Sequence, residues 1–141
     1  MKKIGVWPVL VAMMLLTAGV IAEAQQTGKV FRIGFLDPNI ASGSAALLET
    51  FRQELSKLGW IEGKNLVFEY RLAENKTERT PELAAELVRL KVDLIVTIAN
   101  QQALAAQKAT STIPIVMMAV VDPVALGLVA SLARPGGNIT G

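Results

Sequence analysis

Two aspartates, Asp37 and Asp122, stand where chemistry would be easiest to place, each followed directly by a proline and each closing an apolar run. Paired carboxylates can work as acid and base when held at a definite separation, or can share a divalent cation. Here 84 positions divide them, so their distance depends on the fold alone. The chain of 141 residues has no His and no Cys, which removes imidazole and thiolate chemistry, a His/Cys zinc site, a Ser-His-Asp triad and disulfides. No cofactor motif replaces them. Gly63-Lys64 is not a phosphate loop, because the glycine spacing is absent and the pair precedes a strand instead of following one.

Asp37, Pro38, Ser42, Ser44, Asn100, Gln101, Val121 and Asp122 remain as polar or loop positions that could meet a ligand. Each also has a plainer reading. Asp122 is an N-cap before Pro123, Ser44 caps the first helix, and Asn100 or Gln101 caps the helix it opens. Asp37 shapes a turn through its side chain, or contacts a ligand. The Met117-Met118 pair fills a strand interior, Trp60 and Tyr70 are packing groups, and Asp93 shapes a turn.

The elements that must position these residues follow from periodicity. Val30 to Leu36 reads as a strand ending at Asp37-Pro38. A helix follows with Leu47, Phe51, Leu55 and Leu58 on one face, and Gly59 is placed for the left-handed position after it, with Trp60 folding back. Leu66, Phe68 and Tyr70 alternate with Val67, Glu69 and Arg71, a strand nearer the sheet edge. A second helix starts with Thr80 as cap and Pro81 as first residue, or three residues earlier with Thr77 as cap; Leu83, Leu87 and Leu90 face inward. Leu94 to Ala99 is an apolar strand, and an alanine-rich helix runs from Asn100 or Gln101 to about Thr110. Ile113 to Val121 is a fourth strand. Asp122-Pro123 opens a fourth helix with Val124, Leu128 and Leu132 on one face, and Pro135-Gly136-Gly137 stops it.

This alternation predicts an α/β fold, a parallel sheet with flanking helices of Rossmann-like type. In such sheets ligands lie beyond the carboxyl ends of the strands, the rim that carries all eight candidate positions. Helices starting there present free N–H groups, which suit an anionic group. Binding needs only a concave rim and a few donors, so it is favoured over catalysis.

Met1-Lys2-Lys3, the uncharged stretch from Ile4 to Ala22 and Ala22-Glu23-Ala24 together read as a signal peptide of residues 1–24, cleaved before Gln25. An uncleaved membrane anchor is the alternative. The mature chain then carries 12 basic and 11 acidic residues, and this near-neutral balance argues against nucleic acid as a partner. Asn138 to Gly141 begins a fifth strand that the sequence does not complete, which predicts a truncated domain.

The residues also carry a resemblance. Arg32-Ile33-Gly34-Phe35-Leu36, then Phe51 through Trp60, Glu62-Gly63-Lys64-Asn65-Leu66 and Pro81 through Val88 resemble the substrate-binding proteins of ABC transporters, in the tryptophan/tyrosine-type branch. Thr112-Ile113-Pro114-Ile115-Val116, Asp122-Pro123-Val124 and the block from Gly127 to Gly141 extend it. The resemblance implies the first lobe of a two-lobed, type I periplasmic-binding-protein fold, with residues 25–141 as an incomplete N-terminal lobe. It implies a soluble, exported, periplasmic receptor that passes a small solute, with an aromatic amino acid as the default, to a membrane permease served by a separate ATPase. It implies no enzyme activity and no cofactor. Many relatives have a small residue and a proline after the third strand, where this chain has Asn100-Gln101-Gln102. Two other readings compete: a small exported α/β enzyme using carboxylates or a divalent metal, and a sensory ligand-binding module.

Overall fold

The computed structural model describes residues 28–141, so the signal-peptide expectation for residues 1–24 lies outside the described residues. Among the described residues, five strands and three α-helices follow in order: β1 (Phe31–Asp37), α1 (Ala45–Lys57), β2 (Leu66–Leu72), α2 (Thr80–Arg89), β3 (Leu94–Ile98), α3 (Asn100–Ala109), β4 (Ile115–Met118) and β5 (Ile139–Thr140). The strands form one parallel sheet in the order β2-β1-β3-β4-β5. The α/β fold predicted from the sequence is the fold observed.

Alternation along the strands sends successive side chains to two separate cores. Ile33 and Phe35 of β1 join Phe68, Val96, Ile98 and Leu48 beneath α1. Leu36, Ile95 and Ile115 join Leu83, Leu87, Ala103 and Ala106 beneath α2 and α3. Because β3 is covered on both faces, it is apolar throughout save Thr97, whereas β2 at the edge alternates apolar with Glu69 and Arg71. Each fully buried Leu or Ile contributes about 1.5–3 kcal/mol relative to an exposed one.

Helix α1 ends as the sequence predicts. Gly59, at φ +90°, follows Leu58, and its N–H donates to the Ser56 carbonyl at 3.0 Å while the Trp60 N–H donates to the Leu55 carbonyl at 2.9 Å. This paired reversal uses a left-handed residue, which only glycine adopts without strain. Trp60 turns back onto Phe31, ring centroids 5.4 Å apart. The buried face of α1 is one position out of phase with the expectation: Leu48 is buried, with Phe51 and Leu55 beside it, whereas Leu47 and Leu58 are exposed. Leu58 is already the cap residue, so it leaves the helical phase just where the reversal begins.

Helix α2 has a 3₁₀ lead-in at Thr77–Arg79, with Lys76 before it and Arg79 at the cap position of the α-helix, so neither Thr77 nor Thr80 is the predicted cap. Thr80 is its first α-helical residue, makes no capping bond and is buried. The fourth strand is shorter than expected, Ile115–Met118.

The predicted helix after Asp122-Pro123 is not formed; residues 122–134 run as successive turns and bends. Asp122 itself lies at φ +49° and Gly127 at φ +71°, conformations that cannot be carried through a right-handed helix. Leu128 and Val129 are the residues of this segment that are buried. Val124 and Leu132 are exposed. The Gln107 side chain holds this segment to α3 by donating to the Gly127 carbonyl at 2.8 Å.

Candidate functional site

Strand order fixes where a site can form. From β1 the chain moves outward to β2, then returns to the other side of β1 as β3. Helix α1 leaves β1 onto one face of the sheet, and α3 leaves β3 onto the opposite face. The loops after β1 and β3 therefore leave toward opposite faces, which makes their junction the topological switch point, where open α/β sheets have their ligand crevice. Asp37 to Ser44 forms one bank and Ala99 to Gln101 the other.

Both banks are stiffened by hydrogen bonds that continue beyond the strands. On the β1 side, the Ala73, Glu74 and Asn75 N–H groups donate to Asp37, Asn39 and Pro38 carbonyls at 2.8, 3.2 and 2.8 Å. On the β3 side, the Ala99 N–H donates to the Met118 carbonyl at 3.0 Å, and the Asn100 Oδ1 accepts the Val121 N–H at 2.9 Å. The second bond joins two positions singled out from the sequence, 21 residues apart.

The eight predicted positions are brought to this rim in two groups. Pro38, Ser42, Asn100, Gln101, Val121 and Asp122 keep solvent exposure, whereas Asp37 and Ser44 are buried. Asp37 is an interior carboxylate: Oδ1 accepts the Asn39 N–H at 2.9 Å in a side-chain-closed turn, and Oδ2 is buried with no hydrogen-bond partner among the described residues. Ser44 stands at the cap position of α1 but makes no side-chain cap bond; its Oγ accepts from Asn39 Nδ2 at 3.2 Å. Asp122 caps a single turn, with Oδ1 accepting the Ala125 N–H at 3.1 Å.

Three residues of this region escaped the sequence reading. Ala99 precedes α3 at φ +69° and ψ +168°, a conformation nearly confined to glycine. No composition signal marks an alanine for that role. Thr97 Oγ1 and Gln102 Oε1 are buried without partners among the described residues, on the α3 side of β3. Gln102 is a polar residue on the alanine face of α3, a signal that periodicity could have supplied.

Other charged groups lie away from the crevice. Arg52 covers the Phe68 and Tyr70 rings, contacts the Tyr70 hydroxyl and pairs with Glu62 at 2.8 Å. Burial pushes the Tyr70 phenol above its usual range, against the opposing pull of Arg52. Asp93 sits at the opposite rim, where the Arg32 N–H at 2.9 Å and Lys29 at 3.0 Å hold its carboxyl below the usual range. Among the described residues no group of three or more Asp or Glu is arranged to hold a metal ion, and no helix is long and apolar enough to cross a membrane. A hollow of about 510 Å³ between α1 and β2 is lined by Leu48, Arg52 and Tyr70 and reaches the β1 bank at Ala41.

Comparison with known proteins places this geometry. The sequence pattern of the family described as ABC transporter substrate binding protein matches residues 41–141. The chain belongs to that family. It is 43% identical over 91 residues to a tyrosine-binding protein of Clostridioides difficile, an alignment covering 64% of this chain and 26% of that protein. Its fold is similar to the ligand-free, open structure of a substrate binding protein with adhesive properties from Clostridium difficile, with a TM-score of 0.74 and 37% identity. That match covers 79% of this chain and 38% of the other. It is also similar to an ABC domain in complex with L-Trp from Streptococcus pneumoniae, with a TM-score of 0.73 and 26% identity over 80% of this chain and 38% of the other. The chain thus spans well under half the length of the relatives it matches. As a family member it has substrate-binding proteins, not enzymes, for relatives.

Proposed function

We propose that this chain is the N-terminal lobe of a solute receptor that captures a small amino acid, aromatic by preference, for an ABC permease driven by a separate ATPase. The observation that carries the reading is the strand order, which puts the topological switch point between β1 and β3, flanked by the loops 37–44 and 99–101. The α3 N-terminus beside it offers backbone N–H groups to a carboxylate. Asp122, exposed on the neighbouring loop, is the accessible partner for an ammonium group. Asp37, buried at the same rim with one unpartnered oxygen, is the second acidic group there. The amino-acid class is carried over from the relatives, one of them tyrosine-binding and one holding L-Trp.

Residues 1–24 act in this reading as a signal peptide, and residues 25–141 form a lobe that meets a second lobe across the crevice. The receptor works in the periplasm as a soluble protein, without a cofactor and without turning over its ligand. Calorimetric titration of the full-length mature protein with L-tyrosine, L-tryptophan and L-alanine tests it. Saturable binding of an aromatic amino acid, unaltered on recovery, is expected. Absence of heat with all three, from a protein that is folded by circular dichroism, overturns the amino-acid reading, and chemical conversion of a bound ligand overturns the receptor reading.

A further inference from the structure

Ala99 holds the cap position of α3, and an alanine has no side-chain acceptor to cap with. Asn100 is the first helical residue, and its Oδ1 reaches across to accept the Val121 N–H at 2.9 Å. We infer that Asn100 is a positioning residue of the ligand rim, a strut that sets where Val121 and Asp122 stand, and not itself a ligand contact. The inference rests on the crevice being the ligand site.

Its support is the way the chain leaves β4. The last registered pair of the β3–β4 ladder is Ile98 with Met118, and the Ala99 N–H to Met118 carbonyl bond closes it. Beyond that point Ala119 takes φ +53° and Asp122 φ +49°, two left-handed non-glycine residues three positions apart. Each is disfavoured locally, so the path between them must be imposed by tertiary bonds. Apolar packing anchors only Val120, which rests partly against the α3-side core; Val121, 73% exposed, and Asp122 beyond it are not held by packing. Past Asp122 the turn is held by its own bonds, Ala125 N–H to Oδ1 at 3.1 Å and Leu126 N–H to the Asp122 carbonyl at 3.2 Å. Upstream of it, the bond that returns the backbone to the sheet is the one from Val121 to Asn100. Because Asn100 is also the first residue of α3, the strut ties the Asp122 carboxylate to the helix end whose N–H groups face the same crevice. The two ends of a zwitterionic ligand would then be met at a fixed spacing.

The test uses the full-length mature protein, its Asn100→Ala variant and its Asn100→Asp variant. Asp keeps an acceptor oxygen at the same reach and adds a charge that suits a helix N-terminus. Backbone hydrogen exchange is followed at Val121, and affinity is titrated with L-tyrosine and L-tryptophan. Asn100→Ala is expected to speed Val121 exchange at least about tenfold and to weaken amino-acid binding about tenfold, while Asn100→Asp retains both. Equal Val121 exchange in all three proteins overturns the strut. Faster exchange with unchanged affinity overturns the positioning role. Lost affinity in both variants with Val121 still protected makes Asn100 a direct ligand contact and overturns the inference. If neither amino acid binds the wild type, the ligand reading falls and takes the positioning role with it, while exchange alone still decides whether the strut exists.

Discussion

Leu87 of α2 rests directly on Gly34 of β1: a Cβ built on Gly34 would lie 2.8 Å from Leu87 Cδ2 and 3.0 Å from Cδ1, with Val92 Cγ2 at 3.2 Å. The absent side chain lets α2 sit close on β1, the strand that runs into Asp37. Gly34→Ala is therefore expected to push Leu87 off its rotamer and to cost about 1–3 kcal/mol. Urea unfolding checks this, with a lowered midpoint at unchanged slope as the expected result; a midpoint equal to wild type would mean that Leu87 repacks freely.

Ala99 gives the opposite sign. At φ +69° and ψ +168° its backbone is strained by its own Cβ. Relief of strain worth about 1–3 kcal/mol exceeds the extra entropy of an unfolded glycine, about 0.5–1 kcal/mol. Ala99→Gly should then raise stability by about 1 kcal/mol, read as a higher urea midpoint. Ala99→Val, which stiffens the same position, should lower it.

Asp122 serves both a turn and, in the proposed receptor, a ligand charge, and two variants separate these roles. Asp122→Ala removes the acceptor for the Ala125 N–H and should cost about 0.5–2 kcal/mol as well as weakening amino-acid binding. Asp122→Asn keeps an acceptor and loses the charge, so unfolding should be nearly unchanged while affinity falls. Calorimetry on the Asn variant showing wild-type affinity would leave Asp122 as a turn residue only.

Acid should act partly through Asp93. Its pKa is lowered in the folded chain, first by the Arg32 N–H and then by the Lys29 ammonium. A depressed folded pKa contributes stability that is present above the unfolded value of 3.8 and is lost as pH falls through the folded value. Asp93→Asn should be less stable than wild type at neutral pH, and the gap should narrow as pH drops below about 4. Parallel thermal melts from pH 7 to pH 3 measure it; a gap constant across that range would remove Asp93 from the acid response.

The sequence by itself determined the α/β alternation, the parallel sheet, the edge character of β2 and the glycine-based end of α1. These depend on local quantities, namely apolar periodicity and the φ range open to glycine and proline, and they persist whatever the chain packs against. It also marked the rim, because candidate positions after strand ends must gather at one edge of a parallel sheet. Tertiary structure alone decided the rest. Whether Leu47 or Leu48 turns inward depends on how α1 lies on the sheet, a rotation that two adjacent leucines leave open. The segment after Asp122 has the apolar spacing of a helix, yet Leu128 and Val129 are drawn together into the α3-side core and Gly127 breaks the phase. Asp37 and Asp122, alike in sequence as Asp-Pro pairs, part company: one is interior and the other stands on the open rim. Asn100 meets Val121 only because β3 and β4 are registered neighbours, and a contact between residues 21 apart is set by that register, which no local preference encodes.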